Sequence, residues 1–452
     1  MSSNIETPPL TLIVETPNGI AVRHVPNASP LVEGIPRGDA AEDATRSAAA
    51  RWGLPDFVYR PVIRQLGSGG RELGDGILLA GARAVVVQVK SRSLPEGELV
   101  KEANWIQKNG LKAFKQARGT VRSLRGAPAT LVNLRGREVD IDGTRYKWLS
   151  VVVIDHPVCP DDVVVCNPFP DLPAVALTRR DWEFLFTQLR STHAVVDYIS
   201  RVADQSPVAL GREPVRYYEL AQADEDATPE DLAPEVVGKG KRYSAPLLPK
   251  APAGAEDIHS HSLLRIILED IATSPLPGNA AEADRVGVLA EIDQLPVQQR
   301  TELARALLVM LDEVAKAPEG HVMWRMRTFR FPPGKPQLIF MASNKLDESV
   351  RHGFSAFVMM RHHEFGESTG TTEELASVGV LLTPRSDGLR PWDTTMVRVS
   401  GMVEFEPGEL EAIQELWSGS RIVGSPTRPR KKWTSKAKRS AKGKEKRSKR
   451  KR

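Results

Sequence analysis

The chain has little cysteine and no long apolar run, and both absences limit the classes of protein to which it can belong. Cys159 and Cys166 are its two cysteines among 452 residues, so a disulfide framework is excluded and a zinc site is disfavoured. No apolar segment approaches the ~20 residues of a membrane-spanning helix, and residues 1–30 lack the basic segment and apolar core of a secretion signal. A cytoplasmic protein with no membrane partner is therefore expected, and a composition rich in Ala, Arg and Val favours a bacterial source.

Acidic residues are nearly missing from the C-terminal end. Residues 428–452 hold 15 Lys or Arg and one acid, Glu445, which gives a local charge of +14. The whole chain carries +5, so the rest of it carries −9. Such a tail cannot bury a core and is expected to be disordered. We expect it, and Lys431 and Lys432 within it, to attract nucleic-acid phosphates in a salt-dependent way, although anionic membranes or acidic proteins would attract it too.

One stretch, residues 69–90, contains the residues that could bind a metal or take part in catalysis. A Gly-rich segment leads into Asp75, and a turn at Gly81 separates an apolar strand from a valine-rich strand that ends in Gln88, Val89 and Lys90. Side chains alternate along a strand, so Gln88 and Lys90 share a face. A hairpin about Gly81 would bring Asp75 beside them.

The three side chains suit metal-assisted hydrolysis of a phosphodiester. The carboxylate of Asp75 and the amide oxygen of Gln88 are ligands for a hard cation such as Mg²⁺ or Mn²⁺. The ammonium of Lys90 can hold a water and offset charge on the phosphate. The alternative interpretation is an edge hairpin whose polar residues are simply solvated.

These residues resemble the PD-(D/E)XK nuclease superfamily, and most closely its Mrr-like branch, in which a Gly-rich segment precedes the Asp and the second half-motif is often Gln-x-Lys. The resemblance assigns Asp75 to the acidic position, Gln88 to the Asp/Glu position and Lys90 to the lysine position. It implies a restriction-endonuclease-like α/β/α sandwich over roughly residues 39–202. It also implies an acidic residue on the preceding helix, for which Glu42 is the candidate and Glu72 the rival. Gln88 departs from the charged residue usual there, which removes one negative charge from the metal site.

A cationic helix is predicted directly after the motif. Apolar residues recur at helical spacing over 96–124, and the helix is expected to be interrupted or tightened near Asn109 and Gly110. Lys112, Lys115 and Arg118 on this helix, together with Arg71, are candidates for contact with a nucleic-acid backbone. A solvated helix face is the alternative interpretation.

Composition divides the chain into five segments within an overall α/β class. They are an N-terminal segment with two strands (1–36), the nuclease-like domain (37–205), a polar linker (206–255), an α+β domain (256–420) and the basic tail (421–452). A short strand is expected at 163–165.

The functional hypothesis is a Mg²⁺-dependent endodeoxyribonuclease, which the resemblance connects with restriction or DNA repair. A second hypothesis is a catalytically inactive DNA-binding or interaction protein that keeps the nuclease scaffold. A third, an RNA-directed or ribosome-associated factor, depends on the tail alone.

Overall fold

The computed structural model describes most of the chain, and the molecule is best taken in two units, 1–406 and 407–452. The described residues are 9–16, 19–60, 62–66, 69–226, 237–238, 242–243, 248–250, 258–276, 280–295, 297–329, 336–370, 375–385 and 392–418. Within these ranges no helix is long and apolar enough to cross a membrane.

The first unit opens with a β-hairpin and an alanine-rich helix. Strands β1 (Leu10–Thr16) and β2 (Gly19–Val25) pair antiparallel, which confirms the two strands predicted there. Helix α1 (Arg37–Trp52) has small buried residues, Ala41 and Ala49 among them, because a close approach to the sheet leaves no room for larger ones. This is the helix that the motif resemblance places before residues 69–90, and it carries Glu42.

The main sheet of the first unit has five strands in the order β11-β10-β7-β6-β3. The elements after α1 are β3 (Val58–Tyr59), β4 (Val62–Leu66), β5 (Gly69–Leu73), β6 (Gly76–Ala80), β7 (Arg83–Ser91), α2 (Leu99–Gly126), β8 (Ala129–Val132), β9 (Glu138–Ile141), β10 (Lys147–Asp155), β11 (Ala174–Thr178), α3 (Arg179–Leu189), α4 (Thr192–Val202) and α5 (Glu213–Asp226). Strands β7, β10 and β11 run parallel, whereas β6 is antiparallel to both β7 and β3. Strands β4–β5 and β8–β9 form separate hairpins.

Helices cover both faces of this sheet because its central strand is apolar on both faces. Val85, Val87 and Val89 of β7 pack with residues of α1, α3 and α4. Ala84 and Val86 of the same strand face the other way and pack with α2. The result is an α/β/α arrangement, and the mixed α/β class expected from the sequence is confirmed.

Three local predictions differ from the structure. Helix α2 runs without interruption through Gly110. A glycine is needed there for packing, because a Cβ built at this position would lie 2.5 Å from a methyl of Val165. Residues 163–165 form no strand: the carbonyl of Val163 accepts from the backbone N–H of Leu210, and the buried side chains of Val163 and Val165 pack in a cluster with residues of α2. Part of the predicted linker is helix α5, whose Tyr217 is fully buried.

The remaining elements of this unit form a second α/β layer structure. They are the short strands β12 (Val237–Gly238) and β13 (Arg242–Tyr243), then α6 (Ile258–Thr273), α7 (Glu282–Asp293), α8 (Val297–Ala315), β14 (Trp324–Phe329), β15 (Gln337–Ser343), α9 (Glu348–Thr369), β16 (Ala376–Pro384) and β17 (Trp392–Ser400). The sheet has the order β14-β15-β16-β17, and its middle pair is parallel. Helices α6, α7 and α8 pack on one face of it. In the second unit, α10 (Glu409–Ser418) is the described helix.

Buried ion pairs join the two sheets of the first unit. Asp56 is fully buried and accepts from Arg135 at 2.6 Å, and Arg137 lies 3.5 Å away. The same arginines reach Glu269 of α6 at 2.6 Å and Glu282 of α7 at 3.1 Å. Removing one member of such a group would leave a buried charge uncompensated. Residues 37–205 and 256–406 consequently lie within one compact unit.

A second buried group fastens α4 to α7. Asp293 accepts from the hydroxyl of Ser191 at 3.0 Å and from the backbone N–H of His193 at 2.9 Å. Arg300 completes the group at 2.5 Å from the same carboxylate. Each carboxylate oxygen of Asp293 therefore has a partner, which is what a buried charge requires.

Replacing Gly110 by alanine should destabilise the protein. The added methyl would strike Val165, a stiff β-branched side chain, and we expect the free energy of unfolding to fall by about 1–3 kcal/mol. Gly287, inside α7, is the matched control because nothing lies within 4 Å of a Cβ built there. Gly287→Ala should instead stabilise by about 0.5–1 kcal/mol. Urea unfolding followed by circular dichroism measures both, and a stabilised Gly110→Ala would contradict the packing role.

Candidate functional site

The β6–β7 hairpin places Asp75 against the end of β7. Gly76 pairs with Val87, and the backbone N–H of Asp75 donates to the carbonyl of Val87 at 3.1 Å. The Asp75 carboxylate then accepts from the backbone N–H of Val89 through Oδ2 at 2.6 Å. Gly74 turns the chain into this position with φ +79°, a conformation that glycine adopts at little cost. The predicted hairpin is thus confirmed, and Asp75 lies at its far end.

Lys90 meets Asp75 at the same point. Its Nζ lies 3.8 Å from Oδ2 of Asp75, and both side chains are more than four-fifths buried. This separation is that of an ion pair and is too long for a hydrogen bond. The ammonium therefore keeps donors for an anion that approaches the strand end. Because both contacts of the carboxylate use Oδ2 in the part of the chain that the structure describes, Oδ1 is the oxygen that a cation could take.

Gln88 lies beside this pair on the same face of β7 as Lys90. Its side chain is 2% exposed, and its amide nitrogen is 3.4 Å from a Cβ built on Gly74. The amide consequently extends over the segment that leads into Asp75. The structure brings Asp75 and Lys90 together, as the hairpin predicts, and places the amide of Gln88 against the backbone at Gly74.

Glu42 approaches Asp75 from the opposite face of the sheet. It lies 3.6 Å from Arg46, and Arg46 donates to the backbone carbonyl of Asp75 at 2.5 Å. Glu42, Arg46 and Asp75 line a cleft of about 10 Å³, which is room for one water or one small ion. Arg46 is a contact that sequence reasoning missed: its spacing of four residues from Glu42 on a helix indicates their ion pair, but gives no signal for the hydrogen bond to Asp75.

The side chains around Asp75 could hold a hard cation only if neutral oxygens complete its coordination. In the described ranges no group of three or more His, Cys, Asp or Glu side chains is arranged to hold a metal. Mg²⁺ is commonly held by one or two carboxylates and retains several waters. The Asp75 carboxylate could supply one such ligand and the buried Gln88 amide a neutral one, whereas the cleft beside Glu42 is lined mainly by apolar groups and does not include Gln88.

Polar residues at the carboxyl ends of β7 and β10 hold the neighbouring loops. Glu102 is 2% exposed and accepts from Arg92 at 3.1 Å and from His156 at 2.7 Å. The guanidinium of Arg92 is the main reason that the pKa of Glu102 is lowered to about 2. Asp155, which the sequence places at the end of the strongest strand, pairs with Arg179 at 3.1 Å. These carboxylates have partners and therefore position the strand ends.

The basic residues predicted to contact nucleic acid differ from one another in exposure and in their partners. Lys112 and Lys115 are exposed on α2, whereas Arg118 pairs with Asp171 at 2.8 Å and stacks over the ring of Phe169 at 4.9 Å. The charge of Arg118 is consequently already partly balanced. The backbone of Arg71 lies in β5, but the side chains of Arg71 and Glu72, and all of Lys431 and Lys432, lie outside the described residues.

Glu102→Gln should destabilise the protein in a pH-dependent way. The folded-state pKa lies below the ordinary value of 4.5, so the stabilisation is complete above about pH 4.5 and is lost as the pH falls towards 2. The difference in Tm between wild type and variant should therefore shrink over that range. Thermal melts between pH 6 and pH 2.5 measure it, with the exposed Glu138→Gln as a control. A difference that stays constant with pH would contradict the ionised state of Glu102.

Comparison with known proteins gives no match from which a function could be transferred to this site. Searches with protein-family models, among curated proteins and among solved structures find no significant match to the chain. The chemistry of the site is therefore inferred from its own side chains.

Proposed function

We propose that the protein is a Mg²⁺-dependent endonuclease that hydrolyses phosphodiester bonds in DNA. The observation that carries the proposal is the convergence at the end of β7, where Lys90 lies 3.8 Å from Asp75 and Gln88 lies alongside. The α/β/α layers support it, since the motif resemblance implies a restriction-endonuclease-like sandwich. The position supports it too, because open α/β sheets bind ligands at the carboxyl ends of their parallel strands.

Each residue has a distinct task in this proposal. Asp75, through Oδ1, and the side-chain oxygen of Gln88 would hold the Mg²⁺, which when bound polarises the phosphate and makes water a better nucleophile. Lys90 donates to a phosphate oxygen or to the attacking water and offsets the negative charge that grows during reaction. Arg46 fixes the Asp75 backbone through its carbonyl and so holds the carboxylate in place.

DNA contact is assigned to exposed cations of α2 and to the basic tail. Lys108, Lys112 and Lys115 are exposed on α2, and their spacing of four and three residues puts them on one side of the helix. They cover about 10 Å of its length at 1.5 Å per residue. The chain before residue 428 carries −9, so local cations of this kind and the basic tail, including Lys431 and Lys432, must supply the attraction to phosphate.

One observation favours the alternative, a DNA-binding protein without catalysis. Gln88 is neutral, and no group of three acidic or His/Cys side chains surrounds Asp75 in the described ranges. Gln88→Glu separates the two functions. A working metal site should retain or increase its affinity for Mg²⁺ when the charge is added, whereas an inactive scaffold should remain without cleavage.

Loss of Asp75 or Lys90 should abolish cleavage of plasmid DNA. With purified protein and Mg²⁺ we expect Asp75→Asn and Lys90→Ala to lower the rate of nicking by about 100-fold or more, because each removes a charge at the reacting phosphate. Asp312→Asn, the same substitution at an exposed carboxylate on α8, should keep the wild-type rate. Equal nicking by all four proteins would identify a contaminating nuclease and would contradict the proposal.

Removing two lysines of α2 should weaken DNA binding in a salt-dependent manner. In Lys112→Ala/Lys115→Ala the slope of log affinity against log salt should become shallower by about two, one for each lost phosphate contact. The matched control is Lys316→Ala/Lys345→Ala, because both lysines are exposed but lie in the other half of the unit. Fluorescence anisotropy with a labelled duplex measures the slopes. Identical slopes for the two double variants would exclude α2 from the DNA surface.

A further inference from the structure

The outward face of the β1–β2 hairpin is apolar at its centre although it is open to solvent. Side chains alternate along both strands, so Val14 and Val25 enter the core of the first unit while their neighbours point away from it. Three cross-strand pairs follow one another on the outward face: Thr11 with His24, Ile13 with Val22, and Glu15 with Ile20. Ile13 and Ile20 are each 78% exposed, and Val22 is 56% exposed. Because the solvent face of an antiparallel hairpin is normally polar, these three adjacent aliphatic side chains indicate a surface for association.

The charge of this outward face decides which class of partner it fits. Among its six residues Glu15 and His24 are the titratable ones, and there is no lysine or arginine. Nucleic acids and anionic membranes are bound through clustered cations, so neither suits the face. The basic tail (428–452) carries Trp433 as its single large apolar residue, so it cannot cover a row of aliphatic side chains. A folded protein surface with aliphatic side chains at its centre is the partner that fits.

The face is complementary to itself under a two-fold rotation. The axis lies between two facing hairpins, runs perpendicular to their strands and passes through the Ile13–Val22 pair. Ile13 then meets Ile13 of the second copy, and Val22 meets its own counterpart. The Thr11–His24 pair, whose side chains are hydrogen-bonded at 3.1 Å, comes to lie opposite Glu15 of the second copy. An apolar centre is thus flanked at each end by a carboxylate that faces a hydroxyl and an imidazole.

An axis parallel to the strands gives a poorer fit. It would bring the two Glu15 carboxylates to the same end of the interface, where like charges repel. It would also leave the Thr11–His24 pairs of the two copies facing each other, without a carboxylate to accept from them. The charge pattern therefore selects the perpendicular axis, in which the turn of one hairpin lies over the open end of the other.

We propose that two copies of this chain associate through the outward faces of their β1–β2 hairpins. Each strand has 7 residues, so at about 3.4 Å per residue and about 4.8 Å between strands the face measures roughly 24 Å by 10 Å, or about 240 Å². Stable interfaces take about 800 Å² from each partner. The dimer is therefore weak, with a Kd on the order of 100 µM, and it forms at high protein concentration.

Sedimentation equilibrium of the full chain between about 5 and 300 µM, a range that brackets this Kd, tests the proposal. We expect the weight-average mass to rise at least 1.3-fold above the 49.7 kDa of one chain. The rise should persist in about 0.5 M NaCl, because salt does not screen apolar contacts, whereas it would screen attraction of the basic tail to the acidic body. A constant mass, or a rise that disappears in high salt, would overturn the proposal.

A charge at the centre of the face should disrupt the dimer. Ile13→Lys brings two ammonium groups together at the axis and should weaken association at least tenfold. Because Ile13 is exposed, thermal melting of this variant should match that of the wild type. Val309→Lys is the matched control, since Val309 is 58% exposed on α8, and it should leave association unchanged. Wild-type association in Ile13→Lys, or equal weakening by both variants, would contradict the proposed face.

A mixture of two variants tests the two-fold geometry. Ile13→Glu should be monomeric for the same reason as Ile13→Lys. An equimolar mixture of the two pairs opposite charges across the axis and should restore the rise in mass. A mixture that stays monomeric would reject the arrangement in which Ile13 meets Ile13. These measurements need neither DNA nor Mg²⁺, so their outcome is independent of the proposed nuclease function.

Discussion

The hydrogen bond from the backbone N–H of Val89 to the carboxylate of Asp75 is the contact on which the candidate site depends. A hydrogen bond to a charged group contributes about 1.5–3 kcal/mol, whereas the ammonium of Lys90, at 3.8 Å, lies beyond hydrogen-bond distance. The backbone bond, rather than the ammonium of Lys90, therefore sets the position of the carboxylate. Lys90 follows Val89 in the chain, so the same bond also fixes the point from which the ammonium extends.

Much of this arrangement could be predicted from local sequence. Gly81 and the alternation of residues 85–90 specify a two-stranded hairpin, and hairpin geometry alone brings Asp75 to Lys90. Glu42 is different, because its place depends on Arg46 reaching a carbonyl 29 residues away, and no periodicity encodes such a distance.

The errors share a physical cause, which is that tertiary contact overrode local preference. Gly110 interrupts helical patterns in isolation, but here it is required by the methyl group of Val165. Residues 213–226 are polar enough to suggest a linker, yet Tyr217 anchors them in the core. The buried carboxylate of Asp56 likewise gives no local signal, since its partners lie far along the chain. Composition suggested a division at residues 206–255, while these contacts hold both sides in one unit.

The outer edge of β11 has a consequence for the behaviour of the molecule in solution. An edge strand with open backbone groups invites addition of a strand from another molecule and hence aggregation. Here Phe169 packs against the same apolar cluster as Ala174 and Ala176 of that strand, and Pro170 and Pro173, which lack N–H donors, line a cavity at that edge. A second molecule would have to displace this wall before its backbone could pair, so the protein should tolerate high concentration without forming extended intermolecular sheets through β11.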